Sequence, residues 1–161
     1  MHHSQFEMQH AEKTRGFDSV VFTLTVSLLL IASAGCSYLF YPRADEFLEK
    51  AKGASGVDTL INLTTMLEAS AKAAHGGQGY DPPLNDLHNQ FHALKDAFCD
   101  VTKEQAASPA YAKAVTIHKE LWTIFRRLWK YRDEQPGRDI HLDLLGKRIL
   151  ELREALQAVK G

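Results

Sequence analysis

His88 and His92 stand four residues apart in the stretch HNQFH, which puts two imidazoles one turn apart on the same side of a helix. Nitrogen donors at that spacing can hold one transition-metal ion, and Asp96 extends the row by four more residues. Cys99 lies roughly 10 Å beyond His92 along the axis, too far to share the ion. Counting outward through the turns near 107 and 136 brings His118 level with Cys99 and His141 near the height of His88, with rotation left open. No third ligand follows from spacing. The competing account is that histidines at the edge of an apolar stripe hydrogen-bond and half-expose their rings. No cofactor is therefore expected, and a transition metal is the one inorganic ligand the pattern accommodates.

A second constellation is HKELWTIFRRLWKYR. Trp122 and Trp129 are a heptad apart on one flank, and Arg126 and Lys130 point away from the apolar stripe. Tryptophan and arginine dominate interface energetics, so these four residues are the expected partner surface. The simpler alternative is a solvated basic face with tryptophans widening a contact to the next helix. Cys99 beside His118 could in principle pair a thiol with a base, but a single cysteine on an apolar helix face reads as an inert core residue. The glycines of HGGQG are followed by no GxSxG and mark a helix stop. With no phosphate-cradling loop, paired carboxylates or zinc-protease motif, the chain is expected not to be an enzyme.

Charge narrows the partners. The chain carries 19 Lys and Arg against 20 Asp and Glu, and the two signs also balance from Cys36 onward. Nucleic-acid binding rests on summed phosphate neutralisation, so nucleic acid is not expected as a partner. Two cysteines, Cys36 and Cys99, offer no disulfide framework.

The elements that carry these residues are helical. Apolar residues recur at three- and four-residue steps in four segments, near 57–75, 83–105, 109–133 and 140–159. Their stripes run Val57, Leu60, Leu63, Leu67, Ala71, Ala74; then Leu84, Leu87, Phe91, Leu94, Phe98, Val101; then Ala114, Ile117, Leu121, Ile124 with Phe125, Leu128; then Leu142, Leu145, Ile149, Leu152, Leu156, Val159. A short amphipathic piece near 43–52 precedes them. Punctuation agrees: HGGQG stops the first, Asp81-Pro82-Pro83 opens the second, and Ser108-Pro109 opens the third. QPGRD separates the third from the fourth, with Asp139 a candidate cap. Short connections favour antiparallel neighbours. The expected fold is all-α: an N-terminal signal or anchor helix, then an up-and-down antiparallel four-helix bundle.

Residues 19–42 contain no charge. At roughly 1.5 Å per residue they exceed a hydrocarbon core of about 30 Å. Lys13 and Arg15 precede the apolar run, and Ser33-Ala34-Gly35-Cys36 ends it. That segment resembles the lipobox of bacterial lipoproteins. The resemblance covers this signal alone, and it implies cleavage before Cys36 with lipidation of its thiol. With Ser37 rather than an aspartate following, it also implies outer-membrane sorting on the periplasmic face of a Gram-negative envelope. The alternatives are an uncut transmembrane helix running through Tyr38 and Tyr41, and a helix buried in a soluble fold. The expected organisation is a signal or anchor at 1–35, a tether with a short helix at 36–56, and the bundle at 57–161. The expected role is a membrane-tethered, non-enzymatic interaction or assembly subunit of the cell envelope, held by its N-terminal anchor and working with another envelope protein. The alternative role is a metal- or cofactor-binding bundle using His88 and His92.

Overall fold

The computed structural model describes residues 43–160. The signal, its cleavage point and Cys36 lie outside the described residues. Helix accounts for 81% of the described residues and no strand occurs among them, so the described part is all-α. It comprises α1 (Arg43–Ala51), α2 (Gly56–Ala73), α3 (Pro82–Ala97), a 3-10 turn (Phe98–Asp100), the one-turn α4 (Lys103–Ala106), α5 (Pro109–Lys130) and α6 (Gly137–Lys160). None of these helices is long and apolar enough to cross a membrane.

The stripes read from the sequence become the core. Val57, Leu60, Leu63, Leu67, Leu84, Leu87, Phe91, Leu94, Ala114, Leu121, Leu128, Leu145, Ile149, Leu152 and Leu156 are all completely buried. Helix α2 packs on α3 and on α6, and α6 packs on α5. Helices α3 and α5 meet through aromatic rings, with Phe91 stacked on Phe125 at 4.5 Å between centroids. The short helix α1 lies against α3 and α2, and its Ala44, Phe47 and Ala51 join the same core. Asn62 donates to the Ala51 carbonyl at 2.9 Å, covering an acceptor at the end of α1 that would otherwise lack a partner.

Local caps set the starts of three helices. Ser55 accepts from the Asp58 amide, Asp81 from Leu84 and Ser108 from Tyr111. Each side-chain oxygen takes up one of the amides that the first turn leaves unpaired. Replacing Ser108 by alanine should therefore cost about 1 kcal/mol in a urea-unfolding experiment. No loss at all would mean that Pro109 alone holds the start of α5.

The second helix is shorter than its apolar pattern. It ends at Ala97, not near 105, because the chain tightens into a 3-10 turn and Val101 is extended at φ −81° and ψ 135°. Thr102 then caps the one-turn α4 through the Gln105 amide. The turn passes close to Gly56, where a Cβ would sit 2.5 Å from the Asp100 carbonyl oxygen. Tyr111 donates to the Phe98 carbonyl at 3.0 Å, satisfying an acceptor at the broken end. Cys99 consequently lies exposed on the turn, not within an apolar helix face.

At the opposite end of α3, Arg138 is fully buried. Its guanidinium donates to the carbonyls of Ala74 and Gly79, each at 2.8 Å, and to the Asp81 carboxylate at 2.5 Å. One carboxylate thus caps α3 with one oxygen and holds Arg138 with the other. Gly77 makes room for this clasp, since a Cβ there would meet Asp81 Oδ2 at 2.0 Å. Asp139 does not cap its own helix. It accepts from the Gly76 amide at 3.0 Å, across the turn between α2 and α3.

Candidate functional site

The residues singled out on α3 and α5 converge on one groove. It is lined by His88, His92, Trp122, Phe125, Arg126 and Trp129, and has a volume of about 410 Å³. Helix α3 carries the histidines at the margin of its Leu87–Phe91–Leu94 stripe. Helix α5 carries the tryptophans at the margin of its Leu121–Phe125–Leu128 stripe. Bulky rings on both sides hold these two helices apart, and the groove runs along that seam.

Ring contacts fill its walls. His88 lies 4.6 Å from Trp129 and 5.7 Å from Phe125, centroid to centroid. His92 meets Trp122 edge-on at 5.5 Å, and Trp122 also contacts Phe91 at 5.4 Å. Tyr80, from the loop before α3, packs on Trp129 at 5.1 Å. The Arg132 guanidinium rests over the Trp129 ring at 5.1 Å, a cation–π contact.

The two histidines face each other, with Nε2 to Nε2 at 3.2 Å. Burial pushes His88 below its ordinary range. Burial, then the neighbouring His88 and Lys95, brings His92 down to about 4. Both rings are therefore neutral at neutral pH, a form in which imidazole nitrogens can accept hydrogen bonds or ligate metal.

Of the other candidates for a metal site, none joins the pair. His118 stacks on Phe98 at 4.4 Å and accepts from the Trp122 indole at 3.0 Å. Burial brings it, too, down to about 4. His141 bonds the Gly137 carbonyl at 2.7 Å and stacks on Tyr131. Among the described residues, no group of three or more His, Cys, Asp or Glu side chains is placed to hold a metal ion.

No family model, curated protein or solved structure matches this chain.

The structure unites what the sequence presented as two features, since the His88–His92 pair and the Trp122–Arg126–Trp129 surface share one groove. Lys130 stands beside it, with its ammonium over the Tyr131 ring at 5.3 Å. Arg126, which lines the groove, and Lys130 are both exposed. Sequence reasoning missed Tyr80 as a member of the site, and placed Phe125 in the apolar stripe and not at the groove. The run Gly79-Tyr80-Asp81 looks like a plain loop, and the folded chain brings Tyr80 against both His88 and Trp129. The Arg138–Asp81 clasp left no signal at all, because an arginine in QPGRD reads as a solvated turn residue.

Proposed function

We propose that this protein is a membrane-tethered, non-enzymatic interaction or assembly subunit of a bacterial cell envelope. Its four long helices would form an up-and-down antiparallel bundle, a reading supported by the adjacency of α3, α2, α6 and α5 in that order. The uncharged segment 19–42 carries the signal; cleavage before Cys36 and lipidation of its thiol would leave residues 36–56 as the tether, with the body on the periplasmic side, at the outer membrane. The observation that carries the role is the α3–α5 groove, with tryptophan walls and a rim of exposed Arg126 and Lys130. Aromatic surface beside exposed cations suits another envelope protein that offers an acidic side chain next to an apolar one.

The intact mass of protein extracted from the membrane fraction tests this reading. The expected species is a chain that begins at Cys36 and carries acyl groups. An uncut chain in the membrane fraction favours a transmembrane anchor instead, and a full-length chain found only in the soluble fraction overturns the tether. For the surface, the double variant Arg126→Glu and Lys130→Glu should lower recovery of a co-purifying envelope protein at least about tenfold, since like charges across an interface repel. Its unfolding midpoint should not move, because both side chains are exposed. Undiminished recovery would remove the groove from the proposal.

A further inference from the structure

Helix α6 has an apolar side that its own core does not use. Leu142, Leu145, Ile149, Leu152 and Leu156 are buried on its inner side. On the opposite side Ile140, Leu144 and Leu150 are 54%, 45% and 43% exposed, three of the four exposed large apolar side chains among the described residues. Ile140, Asp143, Lys147 and Leu150 fall in one line along that outer side, at steps of three, four and three. That spacing is the seam of a coiled coil, along which a second helix can lie. Scattered exposed leucines are ordinary, whereas a row at seam spacing points to a partner.

The charges in the middle of the row decide what fits there. Asp143 and Lys147 are both exposed, and Lys147 forms no ion pair among the described residues. Asp143 lies 3.3 Å from His75 Nε2 and is still 67% exposed. A second α6, antiparallel to the first about a twofold axis level with Leu145, sets residues equally far above and below that level side by side. Asp143 then meets Lys147 of the second copy and Ile140 meets Leu150, each contact occurring twice. A parallel pair would instead set Lys147 against Lys147 and Asp143 against Asp143, which repel.

The flanks of the row suit the same arrangement. Leu144, on one flank, approaches its own symmetry mate near the axis. Gly146, on the other, presents no side chain, and a Cβ there would meet nothing within 4 Å. Beside it a groove of about 300 Å³ opens toward α2, so the two backbones can come close on this flank. The neighbouring acids are engaged within their own chain: Glu151 pairs with Arg148, Asp139 accepts from the Gly76 amide, and Glu68 pairs with Lys72 and Arg153.

We propose that the outer face of α6 docks a second copy of this chain, the two helices antiparallel, with paired Asp143–Lys147 contacts setting the register. The face shares no residue with the α3–α5 groove, so the inference goes beyond the tethering and docking reading and does not depend on it. A few turns of helix bury little area, and dissociation in the micromolar range is expected.

Sedimentation equilibrium of the full chain in density-matched detergent, across the micromolar range, tests the pairing. Wild type should show a monomer–dimer equilibrium. Asp143→Lys and Lys147→Asp each bring like charges together twice and should weaken association at least about tenfold. An equimolar mixture of the two variants restores both opposite-charge contacts and should associate as wild type does. Wild type that stays monomeric, or association that neither variant weakens, overturns the proposal. A mixture that stays monomeric does so equally. Should Asp143→Lys fail to fold because it loses His75, the double variant Ile140→Ser and Leu150→Ser decides. It removes the apolar contacts at exposed positions and should also weaken association at least about tenfold, and unchanged association overturns the proposal.

Discussion

Replacing Arg138 by methionine should lower the unfolding free energy by about 3–5 kcal/mol, the range for breaking a buried ion pair from one side. The arginine is fully buried, and its partner Asp81 is about one-fifth exposed. Methionine fills much of the volume, so the expected loss is electrostatic and not a cavity. The Gly79 carbonyl loses its side-chain donor and the Ala74 carbonyl keeps only the Gly77 amide at 3.2 Å, and Asp81 loses its counter-ion. Each buried acceptor left unpaired costs on the order of 1–3 kcal/mol.

Asp81→Ala should be comparably damaging for a different reason. It strands a guanidinium away from water and also removes the cap on Leu84. Because both changes break one contact, the double variant should fall short of additivity by more than about 1 kcal/mol. Urea unfolding of the two single variants and the double reads all three values. A cost for Arg138→Met below about 1 kcal/mol would show that the clasp contributes little, and that the loop between α2 and α3 is held by its own turn.

The second large effect is a loss of stability with acid before most carboxylates protonate. His118 has a folded-state pKa of about 4, against about 6.5 in an unfolded chain. Between those values the unfolded state binds a proton that the folded state does not. Stability is therefore fully present above pH about 6.5 and declines as pH falls toward about 4. The shift corresponds to about 3 kcal/mol at most for His118. His88 and His92 add to the slope with the same sign, since both are also lowered. Asp58 and Glu68 are held below their ordinary values by Lys160 and Lys72 respectively. Their losses begin only below about pH 4.5, beneath most of the histidine window, while Asp96, raised by burial, contributes with the opposite sign.

His118→Gln isolates the effect. Glutamine can still accept from the Trp122 indole but cannot titrate. Urea midpoints for this variant should fall less between pH 7 and pH 5 than those of wild type. Equal midpoints for wild type at the two pH values would mean that the seam between α3 and α5 opens to water and that the histidines charge in place.

Much of the fold was legible without coordinates because its determinants are local. A three- and four-residue apolar repeat can bury one face only as a helix, and residues such as Leu60, Leu121 and Ile149 lie completely buried. The caps at Asp81 and Ser108 act within three residues of their own backbone. Even the mistake at the end of α3 is local in origin. Phe98 and Val101 keep the apolar rhythm, but they pack from a turn and an extended residue.

The site, by contrast, was set by rotation and by distance along the chain. Spacing placed His88 and His92 on one face and Trp122 and Trp129 on another. Whether those faces met depended on how two separate helices turned toward each other. The sizes of Phe91 and Phe125 settled that in packing, which no local repeat encodes. Arg138 is the clearest case, since its carbonyl and carboxylate partners come from Ala74, Gly79 and Asp81, an entire helical hairpin away. Periodicity alone established the helices and their buried sides. Burial of a charge, the meeting of two histidines with two tryptophans, and the exposure of Cys99 were decided only when distant segments excluded water together.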